Sequence, residues 1–317
     1  MAEAEEATDG AALVADDVRK RYGDVVALDG VSLSIRKGEV FGLVGPNGAG
    51  KTTLVRALTG TTGCDGDVRV LGAAPEAVAS HRVGLLPQSF HPADRLTARE
   101  LIAYYAGLYD EARDVDAVLA DVGLADDADT WYENLSGGQR RRACVGTALV
   151  NDPDALFLDE PTTGIDPAGR RALWSLIDDL AAGGTTVLLT SHSMTEVERL
   201  ADRVGLLRAG SLVAVGTPGS LIAEHAGDSH LIVDPGRGVG RATVADALDR
   251  PVEERDGRLV VRDVALADVG RVVGDLEAAG VDVESFTWAE PNLEEVYLRL
   301  TGESIDAGGG RTTGGRP

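Results

Sequence analysis

Residues 45–53, Gly-Pro-Asn-Gly-Ala-Gly-Lys-Thr-Thr, have the residue types and the spacing that hold phosphate groups. Gly45, Gly50, Lys51 and Thr52 occupy the fixed positions of the phosphate-loop template. The glycines let backbone N–H groups point at phosphate oxygens, and the dipole of a following helix adds attraction for an anion. We expect Lys51 to reach the β- and γ-phosphates and the Thr52 hydroxyl to bind Mg²⁺. A glycine-rich turn without a ligand is the alternative interpretation.

The segments on either side of this loop are those that a phosphate loop requires. Val40–Val44 is a short apolar run typical of a buried strand, and residues 53–59 are predicted to be helical, with Gly60 closing the helix. Strand, loop and helix in this order support a nucleotide site. The residues of this stretch that we predict to contact nucleotide are Gly45, Pro46, Asn47, Gly48, Ala49, Gly50, Lys51, Thr52 and Thr53.

Two further apolar runs end in side chains that could act on a phosphate. Ala155–Leu158 is followed by Asp159 and Glu160, and Thr186–Thr190 is followed closely by His192. Continuous apolar runs are typical of strands buried on both faces, and such strands alternating with helices predict an α/β core. A solvated pair of carboxylates and a histidine with a structural role are the alternative interpretations.

The remaining patterns predict how the chain is divided. Thr97-Ala-Arg-Glu100 is a capping box that opens a helix, and residues 94–134 are predicted to form an α-helical insert. Beyond about Gly227 the composition changes to a small α+β pattern, whose last helix carries an apolar stripe. The stripe consists of Leu293, Val296, Tyr297 and Leu300. The predicted regions are a disordered acidic start at 1–10, a core domain at 11–228, an α+β appendage at 229–303 and a disordered tail at 304–317.

The charge balance of the chain limits its partners. The 317 residues include 52 Asp and Glu but 30 Lys and Arg, which gives a formal net charge of −22. This excess argues against binding to nucleic acid or to anionic lipid, since both require basic patches. The lysines are Lys20, Lys37 and Lys51, and every other fixed cation is Arg. Acidic, Lys-poor composition favours a protein of a halophilic archaeon over an ordinary acidic protein.

Cysteine usage and hydropathy point to a cytoplasmic protein. Cys64 and Cys144 are isolated and form no C-x-x-C pair, which favours apolar packing over metal binding or a disulfide framework. No apolar run approaches the roughly 18 residues of a membrane span. The first ten residues are acidic and lack the hydrophobic core of a signal peptide.

Six motifs together resemble the ATPases of ABC transporters. They occur in the order and approximate spacing of that family, and the resemblance extends over roughly residues 13–225. The resemblance implies a phosphate-loop NTPase core with an antiparallel β subdomain and an α-helical insert, with ATP and Mg²⁺ as ligands. The motifs are Gly45–Thr53, Gln88, Leu135–Gln139, Leu156–Glu160, Gly164–Pro167 and His192.

The resemblance also implies a role for each polar residue near the phosphates. Asp159 would help to hold Mg²⁺, and Glu160 would be the general base that activates the attacking water. Gln88 would sense Mg²⁺ and the water, and His192 would contact the γ-phosphate. Tyr22 resembles the aromatic residue that stacks on adenine, while a partly buried strand tyrosine is the alternative.

The signature motif of the family, Leu-Ser-Gly-Gly-Gln, ends at Gln139. Ser136 can cap the helix that follows, and Gly137 and Gly138 allow close approach of an anion. In the family this helix start meets the γ-phosphate of ATP bound to the opposite subunit, and Asp166 resembles the D-loop aspartate that crosses the same interface. One copy of each motif per chain therefore implies a homodimer that encloses two ATP molecules.

The C-terminal stretch favours one function among three. Phe286–Gly302 resembles the hallmark of daunorubicin-resistance-type ATPases, which serve ABC exporters. A soluble ABC ATPase not coupled to transport is the alternative. Ribosome factors of the family carry two ATPase domains, whereas this chain has one copy of each motif. Repair ATPases of the family carry a long coiled coil. A non-catalytic module conflicts with the intact Glu160 and His192. We therefore predict an exporter subunit that binds a membrane-spanning permease near residues 88–108, on the cytoplasmic face of the membrane.

The acidic composition predicts that folding depends on salt. A net charge of −22 repels itself over a Debye length of roughly 30 Å at 0.01 M salt but about 3 Å at 1 M. We expect loss of far-UV circular dichroism and ATPase activity on dialysis into dilute buffer, with recovery in concentrated KCl. Full structure and activity at low salt would contradict the halophile interpretation and leave the ATPase assignment untouched.

Overall fold

The computed structural model describes residues 10–236, 239–248, 250–255 and 257–303. The predicted disordered tail at 304–317 lies outside the described residues, as does the predicted disordered start at 1–10 except for Gly10. The described chain divides into two compact units, one ending at Pro218 and the other beginning at Gly219. Our predicted domain boundary, between residues 228 and 229, lies slightly later in the chain.

The first unit contains two sheets. A six-stranded sheet has the order β5-β6-β7-β3-β8-β9, in which β9 runs antiparallel to β8 and the other pairs are parallel. A three-stranded antiparallel sheet has the order β2-β1-β4. The strands are β1 (Ala11–Tyr22), β2 (Val25–Arg36), β3 (Val40–Val44), β4 (Asp65–Val70), β5 (Val83–Leu86), β6 (Ala155–Asp159), β7 (Thr186–Ser191), β8 (Arg203–Arg208) and β9 (Ser211–Gly216). The predicted α/β core with an antiparallel β subdomain is confirmed.

The helices of this unit begin where the sequence supplies a cap. Thr97 and Ser136 each form a capping box with the residue three positions later, Glu100 and Gln139, so both predicted helix starts are confirmed. Asp166 caps the longest helix of the unit through its side chain. The helices are α1 (Lys51–Leu58), α2 (Ala98–Ala106), α3 (Val115–Asp121), α4 (Gly137–Thr147), α5 (Pro167–Ala182) and α6 (Met194–Leu200). Short 3₁₀ turns occupy Pro75–Ala77, Ser80–Arg82 and Tyr132–Asn134.

The two sheets of the first unit enclose one hydrophobic core. Leu13, Val31 and Ile35 of the antiparallel sheet are fully buried against the parallel sheet and helix α1, whose contributions include Phe41 and Leu54. Strands β3, β6 and β7 are buried at every position, as their continuous apolar sequences predict. This core fixes β3, β6 and β7 side by side, so their carboxyl ends lie at one edge of the sheet.

The second unit is a four-stranded antiparallel sheet with helices. Its strand order is β11-β12-β10-β13, and its core includes Leu231, Val261 and Leu276. The strands are β10 (His230–Pro235), β11 (Val252–Arg255), β12 (Arg258–Val261) and β13 (Val283–Ala289). The helices are α7 (Pro218–His225), which starts at the unit boundary, α8 (Arg241–Leu248), α9 (Val269–Ala278) and α10 (Leu293–Thr301), with a 3₁₀ turn at Leu266–Asp268. The predicted α+β pattern agrees with these elements.

The apolar stripe of helix α10 is buried at three of its four positions. Leu293, Val296 and Tyr297 have no exposed surface, whereas Leu300 is 37% exposed. Leu300 is therefore partly exposed, although it shares the helical spacing of the three buried residues. Helical spacing predicts which residues share a face of a helix, but it does not predict how much of that face is buried by neighbouring residues.

The described helices include none with both the length and the apolar character that a bilayer crossing demands.

Helix α10 offers a matched pair of substitutions for testing its burial. Leu293→Ala should lower the free energy of unfolding by about 2–5 kcal/mol, because it removes a buried side chain and leaves a cavity. Leu300→Ala is the same chemical change at a partly exposed position and should cost much less. Denaturant unfolding of the full chain in concentrated KCl measures both. Equal costs would contradict the burial described here.

Candidate nucleotide-binding and hydrolysis site

The phosphate loop leaves the carboxyl end of β3 and turns directly into helix α1. Strand β3 lies between β7 and β8, so this loop emerges within the parallel part of the sheet rather than at its rim. Ligands of open α/β sheets bind at such carboxyl ends. A Cβ atom on Gly45 would lie 2.3 Å from the carbonyl oxygen of Leu207, and one on Gly50 would lie 2.5 Å from that of Ala27. The packing of the loop therefore requires glycine at both positions.

Lys51 is buried at the start of helix α1. Its Nζ atom donates to the carbonyl oxygen of Gly45 at 2.6 Å and to that of Pro46 at 3.3 Å. The same Nζ atom lies 3.6 Å from Oε1 of Glu160. Burial lowers the pKa of Lys51, and the Glu160 carboxylate partly offsets this by favouring the charged amine. A cation is thus held at the mouth of the loop, where phosphate oxygens would meet it.

Asp159 and Glu160 follow each other at the carboxyl end of β6. Both are buried, with 2% and 5% exposure, so they are not a solvated edge. Thr190 of the neighbouring strand β7 fixes both residues. Its hydroxyl donates to Oδ1 of Asp159 at 2.5 Å and accepts from the backbone N–H of Glu160 at 3.0 Å. The parallel register of β6 and β7, which pairs Asp159 with Thr190, positions this contact.

His192 lies beside Glu160. Its Nδ1 atom is 2.6 Å from Oε2 of Glu160, and the Thr163 hydroxyl donates to the same oxygen at 3.3 Å. An ionised carboxylate only accepts hydrogen bonds, so an ionised Glu160 would pair with the tautomer of His192 that carries its proton on Nδ1. Glu160 therefore has an ammonium group on one oxygen and an imidazole on the other. The carboxylate is held in place from both sides.

A cavity of about 180 Å³ lies between the phosphate loop and Glu160. It is lined by Pro46–Thr53, Gln88 and Glu160, together with Val25–Ala27 of strand β2. Gln88 follows β5, so its position also depends on the parallel sheet. The sequence-predicted residues of four separate motifs thus meet at one edge of the sheet.

Tyr22 lies at the end of β1, paired with Val25 of the cavity wall, and is 45% exposed. The Lys20 ammonium lies 5.2 Å from the centre of its ring. A hydrogen bond with Thr62 is the main cause of a lowered Tyr22 pKa. Tyr22 itself is not among the residues that line the cavity.

The signature residues lie elsewhere in the first unit. Ser136 accepts from the backbone N–H of Gln139 at 3.2 Å, and Gln139 in turn donates to Asp127 at 2.6 Å. Asp166 accepts from the backbone N–H groups of Ala168 and Gly169, which lowers its pKa. Gly137 and Gly138 are the first two residues of helix α4. The cavity described above is lined by none of these signature and D-loop residues.

Three contacts that position the site residues were not predicted from the sequence. Thr190 binds both acidic residues, as described above. Arg141 of helix α4 donates to backbone carbonyl groups at the end of β6. Glu196 is only 1% exposed and accepts hydrogen bonds from the Ser191 hydroxyl at 2.6 Å and from Nε1 of Trp174 at 3.3 Å. Ser191 is the residue directly before His192, so this contact fixes the backbone next to the histidine. The signal available for Glu196 was an acidic residue on the apolar face of a short helix.

Comparison with known proteins identifies the family. A family model described as ABC transporter matches residues 28–163. The daunorubicin resistance ATP-binding protein DrrA3 of Streptomyces coeruleorubidus is 39% identical, over 92% of this chain and 96% of that protein. The Nod factor export ATP-binding protein I of Rhizobium meliloti is 38% identical, over 91% and 87%. A nucleotide-free ATP-binding cassette from an ABC transporter has 26% identity and a TM-score of 0.59, over 65% of this chain and 91% of that structure.

The chain therefore belongs to the ATP-binding proteins of ABC transporters. It is an ATP-binding, ATP-hydrolysing subunit of the exporter type, as the sequence predicts, and the alternative of an ABC ATPase without transport is not supported. The predicted resemblance of the chain to daunorubicin-resistance-type ATPases is likewise confirmed.

Lys51→Ala tests the cation at the mouth of the loop. Loss of the predicted hydrogen bonds between Lys51 and the phosphates should weaken ATP binding about 10- to 100-fold. Lys37→Ala is the matched control, because Lys37 is an exposed lysine outside the loop and its cavity. Titration with a fluorescent ATP analogue measures both dissociation constants. Equal affinity in the two variants would contradict a phosphate contact by Lys51.

Proposed function

We propose that the chain hydrolyses Mg²⁺-bound ATP with Glu160 as general base and drives export through a membrane-spanning partner. The observation that carries this proposal is the position of the Glu160 carboxylate. It is buried at the phosphate loop, 3.6 Å from Nζ of Lys51 and 2.6 Å from Nδ1 of His192. A base must lie within hydrogen-bond reach of the proton that it accepts, and this carboxylate faces the cavity where the γ-phosphate would bind.

Each of these groups has a defined part in the reaction. The water oxygen forms a bond to the γ-phosphorus, and the bond from that phosphorus to the oxygen bridging the β-phosphate breaks. ADP leaves with the bonding electron pair, and the proton of the water passes to Glu160. Lys51 stabilises negative charge on the phosphates, and His192 orients the Glu160 carboxylate and the water. Tyr22 stacks on adenine.

The oxygen donors around the loop fit Mg²⁺. This ion is usually bound by one or two carboxylates together with substrate phosphates and water. Asp159 supplies a carboxylate, Thr52 a hydroxyl and Gln88 an amide oxygen. The described residues hold no group of three or more His, Cys, Asp and Glu side chains that could bind a metal ion by themselves. Bound Mg²⁺ neutralises charge on the phosphate oxygens.

The complete site requires a second copy of the chain. Ser136 and Gly137 are exposed at the start of helix α4, and Asp166 is exposed at the start of α5. A helix N-terminus with two glycines can bind a phosphate, yet this one does not line the cavity of its own chain. In a homodimer the signature residues Ser136–Gln139 of one chain would face the γ-phosphate held by the other. Two chains then enclose two ATP molecules.

The membrane partner docks on the helical insert. A groove of about 390 Å³ runs beside the insert and is lined in part by Leu85, Phe90, Tyr105 and Leu108. These apolar side chains suit a short helix from a cytoplasmic loop of the permease. Docking there places the chain on the cytoplasmic face of the membrane, next to Gln88. The permease selects the cargo.

Glu160→Gln tests the proposed base. The amide keeps the shape of the side chain but cannot accept the proton, so turnover should fall roughly 10²- to 10⁴-fold while ATP still binds. Glu39→Gln is the control, since Glu39 is another buried glutamate and lies outside the cavity. Phosphate release measures turnover, and equilibrium titration measures binding. A near-normal rate in Glu160→Gln would refute the assignment.

A further inference from the structure

Arg141 on the signature helix holds the backbone around the proposed base. Its Nη2 atom donates to the carbonyl oxygen of Asp159 at 2.7 Å and to that of Glu160 at 2.9 Å. Its Nε atom donates to the carbonyl oxygen of Pro161 at 3.1 Å. The planar guanidinium group thus spans three consecutive peptide units with the proposed base at their centre. A lysine, which is a point donor, could not form this fork.

The neighbouring arginines have similar contacts with different targets. Arg140 donates to backbone carbonyl oxygens of residues 132–133 and Arg142 to those of residues 122–123. Both of these targets belong to the helical insert. Among the hydrogen bonds described for these three arginines, only those of Arg141 reach the end of strand β6. The Arg-Arg-Arg run therefore contains one candidate positioning residue and two internal controls.

The backbone of Glu160 has an unfavourable conformation that neighbouring contacts must stabilise. Its φ angle is 54°, in the left-handed region that residues other than glycine rarely adopt. The N–H group of Glu160 is fixed by Thr190, at 3.0 Å from the hydroxyl. The carbonyl group of Glu160 is fixed by Arg141. Because the direction of a side chain follows from its backbone, the two contacts together aim the carboxylate at the phosphate loop.

The environment strengthens the Arg141 contacts. Burial lowers the pKa of Arg141, and its proximity to Asp159 and Glu160 opposes this effect. An arginine nevertheless stays charged, so the three hydrogen bonds are charge-assisted. A charged donor in a partly desolvated site fixes geometry more firmly than a neutral one.

We propose that Arg141 is a positioning residue for ATP hydrolysis, which acts by holding the Asp159–Pro161 backbone so that the Glu160 carboxylate faces the attacking water. This inference rests on the proposed function, because it assigns Arg141 an effect only through the base. It also gives the signature helix a second task. The N-terminus of α4 serves the ATP of the partner chain, and its second turn serves the base of its own chain.

The first test compares Arg141→Gln with Arg142→Gln. Arg141→Gln should lower kcat about 10²-fold, the cost of a displaced catalytic group, and leave the Kd for a fluorescent ATP analogue unchanged. Arg142→Gln also removes backbone contacts of helix α4 and should keep kcat. Arg141→Lys keeps the charge and should recover part of the lost rate. If Arg141→Gln does not fold, Arg141→Lys and Arg142→Lys carry the same comparison. Equal kcat losses at the two positions would overturn the inference.

A double-mutant cycle separates positioning from a purely structural effect. In the Glu160→Gln background the base is already absent, so adding Arg141→Gln should leave the residual single-turnover rate unchanged. A further fall by the same factor as in the wild type would mean that Arg141 acts independently of Glu160 and would overturn the inference. A near-normal rate in Glu160→Gln alone would overturn the proposed base as well. Failure of the Arg141 comparison alone would leave the proposed function standing.

Discussion

A buried ammonium group and a buried carboxylate, those of Lys51 and Glu160, lie 3.6 Å apart at the edge of the central sheet. A charge removed from water is costly unless it is paired, and removing one partner of such a pair leaves the other uncompensated. The rest of the site follows from this requirement. Strand β3 and its loop bring the cation, strand β6 brings the anion, and strand β7 brings Thr190 and His192 to hold the anion in place. The two charged groups that the proposed chemistry uses, those of Lys51 and Glu160, are therefore also the two that must stay paired in the folded protein.

The sequence predicted best those structural features that depend on residues close together in the chain. The spacing of Gly45 and Gly50 reflects close backbone contacts that exclude a Cβ atom, so a short motif predicts the loop. The helix starts at Ala98 and Gly137 follow from capping boxes that span four residues. The strands before the loop and before Asp159 are apolar at every position because both faces are covered. Each of these features could be predicted from fewer than ten residues.

Features that depend on distant pairing could not be predicted. The contact between Thr190 and Asp159 depends on the register of two strands whose residues are 31 positions apart. Arg141 reaches carbonyl groups 18 to 20 residues away, and nothing in a run of three arginines shows which one faces the core. Leu300 matched the helical spacing of its stripe but lies partly exposed. A periodic pattern predicts the face of an element, whereas the neighbour on that face comes from the tertiary structure.

Mixing two inactive variants is the most direct test of a site shared between two chains. Lys51→Ala removes the proposed phosphate contact of one chain, and Ser136→Arg blocks the proposed phosphate-facing helix start of the other. In a mixed dimer one site carries both changes and the other carries neither. We predict that ATPase activity partly returns, up to about the half-share of one intact site, because the intact site keeps its charge-stabilising groups. No recovery in isolated mixed dimers would contradict a site shared between chains.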